Sequence, residues 1–137
     1  MYRILYNLKK EEDQNVQYSN SFYYDLAIGE KAETWVNELF SGGKKIEVKT
    51  DFKADKTKNI FIEIYSRGKL SGLSTTEAEY WIFKLNKISI IISTEELKKV
   101  VKHCHKLNGY IKGGDDNTSL GVLVPIKLLY EDFSNNI

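Results

Sequence analysis

The chain has one cysteine, one proline, one methionine and almost no net charge among its 137 residues. A lone Cys104 excludes an internal disulfide framework, so packing must hold the fold, and it fits a reducing, cytoplasmic setting. No apolar run approaches the roughly 18 residues that cross a bilayer, and Met1-Tyr2-Arg3-Ile4 is not the start of a signal peptide. A membrane partner is therefore not expected. A formal charge of +1 excludes nucleic-acid binding driven by bulk charge alone. With 42% hydrophobic and 28% charged residues, the composition is that of a folded protein. The length suits one domain, residues 1–137, in which 1–20 are hard to read.

Local distribution says more than the totals. Lys84, Lys87, Lys98, Lys99, Lys102, Lys106 and Lys112 are opposed over their span only by Glu95 and Glu96. Such a stretch offers either a phosphate-facing surface or a solvated helix face.

Periodicity predicts the elements. Ile4, Leu5 and Leu8 suggest a short strand, and Lys9 to Asn20 a polar loop. From Asp25, Ile28, Ala32, Trp35, Val36 and Leu39 recur at helical spacing until Gly42-Gly43, a helix of about four turns. Lys45–Asp51 and Ile60–Ser66 read as strands around a polar turn, Phe52 to Asn59. Ser74-Thr75-Thr76-Glu77 has capping-box spacing and predicts a short helix towards Tyr80. Trp81–Leu85 and Ile88–Ile92 flank Asn86-Lys87 as a hairpin. Ser93-Thr94-Glu95-Glu96 predicts a helix with Leu97, Val100, Val101, Cys104 and Leu107 on its buried face. Gly109–Ser119 is loop, and Leu120–Val124 a last strand ended or kept at an edge by Pro125. This order predicts an α/β domain with a mixed sheet.

Strand alternation places Glu47, Lys49 and Asp51 on one face, and Phe61, Glu63 and Tyr65 opposite the aliphatic face Ile60, Ile62, Ile64. A hairpin centred near Lys56-Thr57 would set Asp51 across from Glu63. Two adjacent carboxylates repel unless one is protonated or a cation joins them, and Mg²⁺ suits two carboxylates plus water and phosphate. Lys49 would then stabilise phosphate charge or help activate water. The spacing is equally that of a surface hairpin with solvated cross-strand ion pairs.

Gly29-x-x-x-Glu33 on a helix, then Ile46-Glu47-Val48-Lys49-Thr50-Asp51, then Asn59-Ile60-Phe61-Ile62-Glu63, resembles PD-(D/E)XK (restriction-endonuclease-like) nucleases. Ser66 to Thr76, Glu79-Tyr80-Trp81 and Gly113-Gly114-Asp115-Asp116 narrow the resemblance to small phage-type, Holliday-junction-resolvase-like members. It spans roughly residues 22 to 130. The resemblance implies a restriction-endonuclease-like mixed sheet flanked by helices, and a Mg²⁺- or Mn²⁺-dependent DNA endonuclease acting as a homodimer, on branched or otherwise structured DNA. Asp51 and Glu63 match its metal-binding carboxylates, and Glu33 its helical glutamate. Its third motif ends in lysine, but here Tyr65 stands at that position, so Lys49, on the same face, becomes the candidate catalytic lysine, with Lys69 as a second. Taking Glu47-x-Lys49 as the third motif, with Asp25 as the aspartate, fits less well, because Asp25 reads as a helix N-cap. Arg67, Lys69, Ser71, Thr75, Lys98 and Lys102 are the candidate DNA contacts. The alternatives are a catalytically inactive DNA-binding or assembly module of the same fold and a protein-interaction domain unrelated to nucleic acid. His103-Cys104-His105 lacks a partner pair for zinc, so Cys104 is expected in the core.

Overall fold

The structure is a computed structural model that describes residues 18–132. It divides into two compact units, residues 1–44 and 45–137. The strand expected at Ile4, Leu5 and Leu8 lies outside the described residues.

The first unit holds helix α1 (Tyr18–Phe40), which begins before the expected start at Asp25. Asp25 thus lies inside the helix and is not its N-cap. Leu39 is buried, whereas Ile28, Trp35 and Val36 of the same stripe are exposed by about two-fifths. Glu33 is an exposed residue of this helix.

The second unit runs β1 (Ile46–Thr50), α2 (Ala54–Thr57), β2 (Asn59–Ser66), β3 (Lys69–Leu70), a 3-10 turn at Gly72–Ser74, β4 (Tyr80–Lys84), β5 (Ser89–Ser93), α3 (Thr94–Asn108), β6 (Ile111–Gly113) and β7 (Ser119–Pro125). Two sheets form, ordered β1-β4-β5 and β3-β2-β7-β6. The first is mixed, with β1 parallel to β4 and β5 antiparallel to it. The second is antiparallel throughout. This is the mixed α/β class expected.

Alternation along β2 sets the core. Ile60 and Ile62 are 2% exposed and pair with Val124 and Val122 of β7, both equally buried. Trp81 and Phe83 of β4, Leu85 just after it, Ile92 of β5, Leu97, Val100, Val101 and Cys104 of α3, with Ala54 and Leu73, complete the cluster. Burying side chains of this size contributes roughly 1.5–3 kcal/mol each. Helix α3 starts as its sequence predicts, with the Ser93 hydroxyl accepting from Glu96 N–H at 3.1 Å. Its stripe is as expected except at Leu107, which is 67% exposed, because the last turn runs past the core. The β4–β5 hairpin closes through a Leu85 N–H to Ile88 carbonyl bond around Asn86-Lys87. Pro125 ends β7, which is a central strand and not an edge.

Three further expectations fail. Gly109–Ser119 is not all loop, because β6 lies within it and pairs with β7. Residues 51–59 do not form a hairpin turn, and β1 does not pair with β2. Asp51 Oδ1 instead accepts from the backbone N–H of buried Ala54 at 3.1 Å, starting α2 and turning the chain away. β1 pairs with β4, Glu47 opposite Trp81 and Lys49 opposite Phe83. A parallel pair needs a long crossover, and β2, β3 and the 3-10 turn supply it. Nor do residues 75–79 form a helix, although Ser74 was expected to cap one; the Ser74 hydroxyl donates back to the Ile64 and Ser71 carbonyls. Among the described residues no helix is long and apolar enough to cross a membrane.

The Ser93 cap gives a direct check on this reading. Ser93→Ala should lower stability by about 1 kcal/mol in urea unfolding, and Ser93→Asp should retain it. No loss in the alanine variant would mean that packing alone defines the start of α3.

Candidate functional site

The chemistry gathers where β2 departs from regular pairing. Glu63 lies opposite Gly121 and Tyr65 opposite Leu120, so Ile64 is an extra residue, a β-bulge. Bulges re-aim side chains, and here Glu63 faces away from Ile60 and Ile62 on the side shared with Phe61. Gly121 makes that face possible, since a Cβ there would meet the Ile62 carbonyl and the Phe61 ring.

Both Glu63 oxygens accept hydrogen bonds. Ser71 Oγ donates to Oε1, and Ser119 Oγ donates to Oε2 at 2.7 Å. Ser119 is 4% exposed, so its hydroxyl is fixed by its surroundings. The Ser71 bond and then the Ser119 bond hold the Glu63 carboxyl below its ordinary pKa; partial burial opposes them, and the Lys49 ammonium adds a smaller downward pull. Glu63 is therefore a persistent anion. Each of its oxygens keeps a second lone pair for another partner.

Gly72 brings the chain close to this glutamate. It has φ +56°, and a Cβ there would strike the Glu63 carbonyl. Only glycine combines that left-handed backbone with that approach.

Glu63 opens onto a cleft of about 480 Å³ lined by Lys45, Glu47, Lys49, Gly72, Thr75, Thr76 and Glu77 among others. Parallel pairing with β4 puts Glu47 and Lys49 there. Lys49 Nζ lies 3.6 Å from Glu47 Oε1 and 5.9 Å from the centroid of the Trp81 ring. Both side chains are about half exposed, so this ion pair contributes at most about 1 kcal/mol and can yield to a ligand. Trp81 Nε1 is buried with no hydrogen-bond partner among the described residues, under this charged pair.

The expected site residues separate into groups. Glu63 and Lys49 share the cleft, with Thr75 on its wall and Ser71 bonded to Glu63. Asp51 does not line it; its carboxylate is engaged with Ala54. The register that would have set Asp51 across from Glu63 is absent, because Glu63 faces Gly121 of β7. Arg67 sits at the tip of the β2–β3 turn and Lys69 just beyond it, both exposed. Lys98 and Lys102 lie on α3 and line a different cleft. Glu33 belongs to the first unit.

Two contributors were underrated by sequence reasoning. Glu47 was set aside with its motif, although it shares a strand face with Lys49, and that was signal enough. Ser119 could not be linked to Glu63, because 56 residues separate them and only the β2–β7 ladder joins them. Cys104 is core as expected, and burial raises its thiol pKa.

No group of three or more His, Cys, Asp or Glu side chains among the described residues is arranged to hold a metal ion. The cleft supplies three carboxylates, Glu63, Glu47 and Glu77, of which Glu77 is paired with Lys45 at 3.2 Å, and the hydroxyls of Thr75 and Thr76. That donor set does not suit zinc, but it suits Mg²⁺ or Mn²⁺, which keep several waters and take one or two carboxylates. Comparison with protein-family models, curated proteins and solved structures finds no match.

Because the Glu63 pKa is lowered on folding, its contribution to stability is complete above the pKa it has in the unfolded chain and is lost as pH falls through the folded value. Unfolding in urea across that acid range should show the loss, and Glu63→Gln should flatten it. Ser71→Ala and Ser119→Ala should each move the transition up towards ordinary glutamate behaviour. An unchanged pH dependence in all three variants would mean that the serine bonds do not hold the charge.

Proposed function

We propose that this protein is a metal-dependent DNA endonuclease of restriction-endonuclease-like fold whose working side chains are Glu63, Glu47 and Lys49. One observation carries the reading: a carboxylate whose two oxygens each accept a serine hydroxyl shares an open cleft with the carboxylates of Glu47 and Glu77 and the ammonium groups of Lys45 and Lys49. Glu63 and Glu47 would hold Mg²⁺ or Mn²⁺. That ion, when bound, supplies Lewis-acid polarisation of the phosphate and a more acidic water.

The chain's own groups do the rest. Ser71 and Ser119 fix the orientation of the Glu63 carboxylate, as partners behind a metal ligand do. Lys49 leaves Glu47 and neutralises charge developing on the phosphate oxygens. The Thr75 and Thr76 hydroxyls donate to nonbridging oxygens. Lys49 thus takes the role of the lysine that Tyr65 replaces. Asp51 is assigned to holding α2 and not to the metal. Cutting both strands of a structured DNA would call for a homodimer, which sedimentation of the full chain would reveal.

A second reading has its own support. Tyr65 at the family's lysine position and the engagement of Asp51 with Ala54 favour an inactive DNA-binding module of the same fold.

Cleavage of labelled linear, single-stranded and four-way-junction DNA in Mg²⁺, Mn²⁺ or EDTA separates these readings. Wild type should cut only with metal. Glu63→Gln and Lys49→Ala should each lose on the order of 100-fold in rate. Asp51→Asn, which keeps an acceptor for Ala54 N–H, should stay within a few fold, whereas Asp51→Ala should cost about 1–2 kcal/mol in stability. If Asp51→Asn alone abolishes cutting, the metal belongs to Asp51. DNA binding without cutting in either metal selects the inactive module.

A further inference from the structure

A second cleft, of about 270 Å³, lies on the other side of the segment that carries Gly72. Consecutive residues divide between the two: Glu63 and Gly72 face the first, and Ile64, Leu73 and Ser74 the second. The inner surface of this second cleft is apolar, made by Ile64, Leu73, Val101 and Val122. Its mouth is not. Lys98 and Lys102, one helical turn apart on α3, stand there with His105 and Tyr110, and among the described residues no acidic side chain lines it.

Two neighbouring rings hold Tyr110 at the mouth in tilted and edge-on contacts. His105 and Tyr110 lie 4.2 Å apart between centroids at 40°, and Tyr65 meets Tyr110 edge-on at 5.7 Å. Tyr110 nevertheless remains 44% exposed. A flat ring, held from behind and open to solvent, beside an apolar hollow and two ammonium groups, matches one ligand chemistry: a planar heterocycle joined to a phosphate. Base stacking on aromatic side chains beside a basic track is how single strands are held without reading sequence. The volume admits one ring system and no helix or strand.

We infer that this cleft holds an unpaired base of a DNA strand, stacked on Tyr110, with Lys98 and Lys102 on its flanking phosphates. The choice of a DNA strand over other phosphate-bearing heterocycles rests on the nuclease reading, and gives it a substrate class: DNA with at least one unpaired nucleotide beside the bond cut. The two clefts, one on each side of residues 72–76, would divide base capture from chemistry.

The test is run in EDTA, where no cutting occurs, by fluorescence anisotropy of a labelled oligothymidylate of roughly twelve nucleotides. Wild type should bind it more tightly than a duplex of equal length. Tyr110→Ala should weaken binding roughly fivefold or more, and Tyr110→Phe should keep it, which a merely structural tyrosine hydroxyl would not predict. Lys98→Ala and Lys102→Ala should each weaken binding and reduce its salt dependence. Circular dichroism of each variant confirms the fold. Equal binding by wild type and Tyr110→Ala, preference for the duplex, or no binding would overturn the inference. So would thymidine monophosphate competing as well as the oligonucleotide, which would make this a free-nucleotide site. Cutting with undisturbed Tyr110→Ala binding rejects this cleft alone; loss of binding in Tyr110→Ala by a protein that cuts nothing rejects the nuclease alone.

Discussion

Ile60 and Ile62 pack against Val124 and Val122 across the β2–β7 ladder, and strand alternation then leaves Glu63 no choice but the opposite face. A slip of one residue would expose both isoleucines and drive the carboxylate into the core, at a cost of several kcal/mol on each account. The pairing that builds the core is thus the same constraint that aims the acid. The bulge at Ile64 adds the local adjustment, and the 3-10 turn at Gly72 lies against the Glu63 backbone because glycine stands there.

What surrounds Glu63 is an arrangement for keeping charge. Two neutral hydroxyls orient it without neutralising it, and the nearest cation, Lys49, is paired loosely with Glu47 at a half-exposed surface. An ion pair of that kind stabilises little, so its rearrangement around a ligand costs little. By contrast, the Asp51 carboxylate answers a buried backbone N–H, and removing it would leave that donor unsatisfied. The physical distinction between the two acids is that Glu63 can take a further partner at small cost, and Asp51 is part of a helix start.

Local signals were legible in the sequence wherever the physics was local. The Ser93 cap, the apolar stripe of α3, the Asn86-Lys87 hairpin and the two faces of β2 all follow from neighbours within a few residues. The partner of β1 was not legible. A short polar stretch between two strands reads as a turn, and nothing nearby reveals that Asp51 closes a helical turn there or that Trp81 and Phe83 offer a better surface 34 residues on. The same expected register had set Asp51 across from Glu63, and the β2–β7 ladder puts Gly121 there instead. Ser74-Thr75-Thr76-Glu77 failed for a related reason: the Ser74 hydroxyl is taken by the Ile64 and Ser71 carbonyls, so it cannot cap a helix after it. The candidate site was half legible, since Glu63 and Lys49 were found from strand faces, while Glu47 was discounted and Ser119 depends on a distant ladder.

Glu63 is held by Ser71 and Ser119 in the cleft it shares with Lys49 and Glu47, and the proposed function requires it to bind a metal ion. Its side-chain carboxyl carbon can be followed by NMR through acid titration, first without metal and then with millimolar Mg²⁺. A midpoint below that of an ordinary glutamate is expected, with a further downward move in Mg²⁺ that Lys49→Ala does not abolish. A carboxyl that titrates as in a free peptide, and does not respond to Mg²⁺, would contradict both expectations.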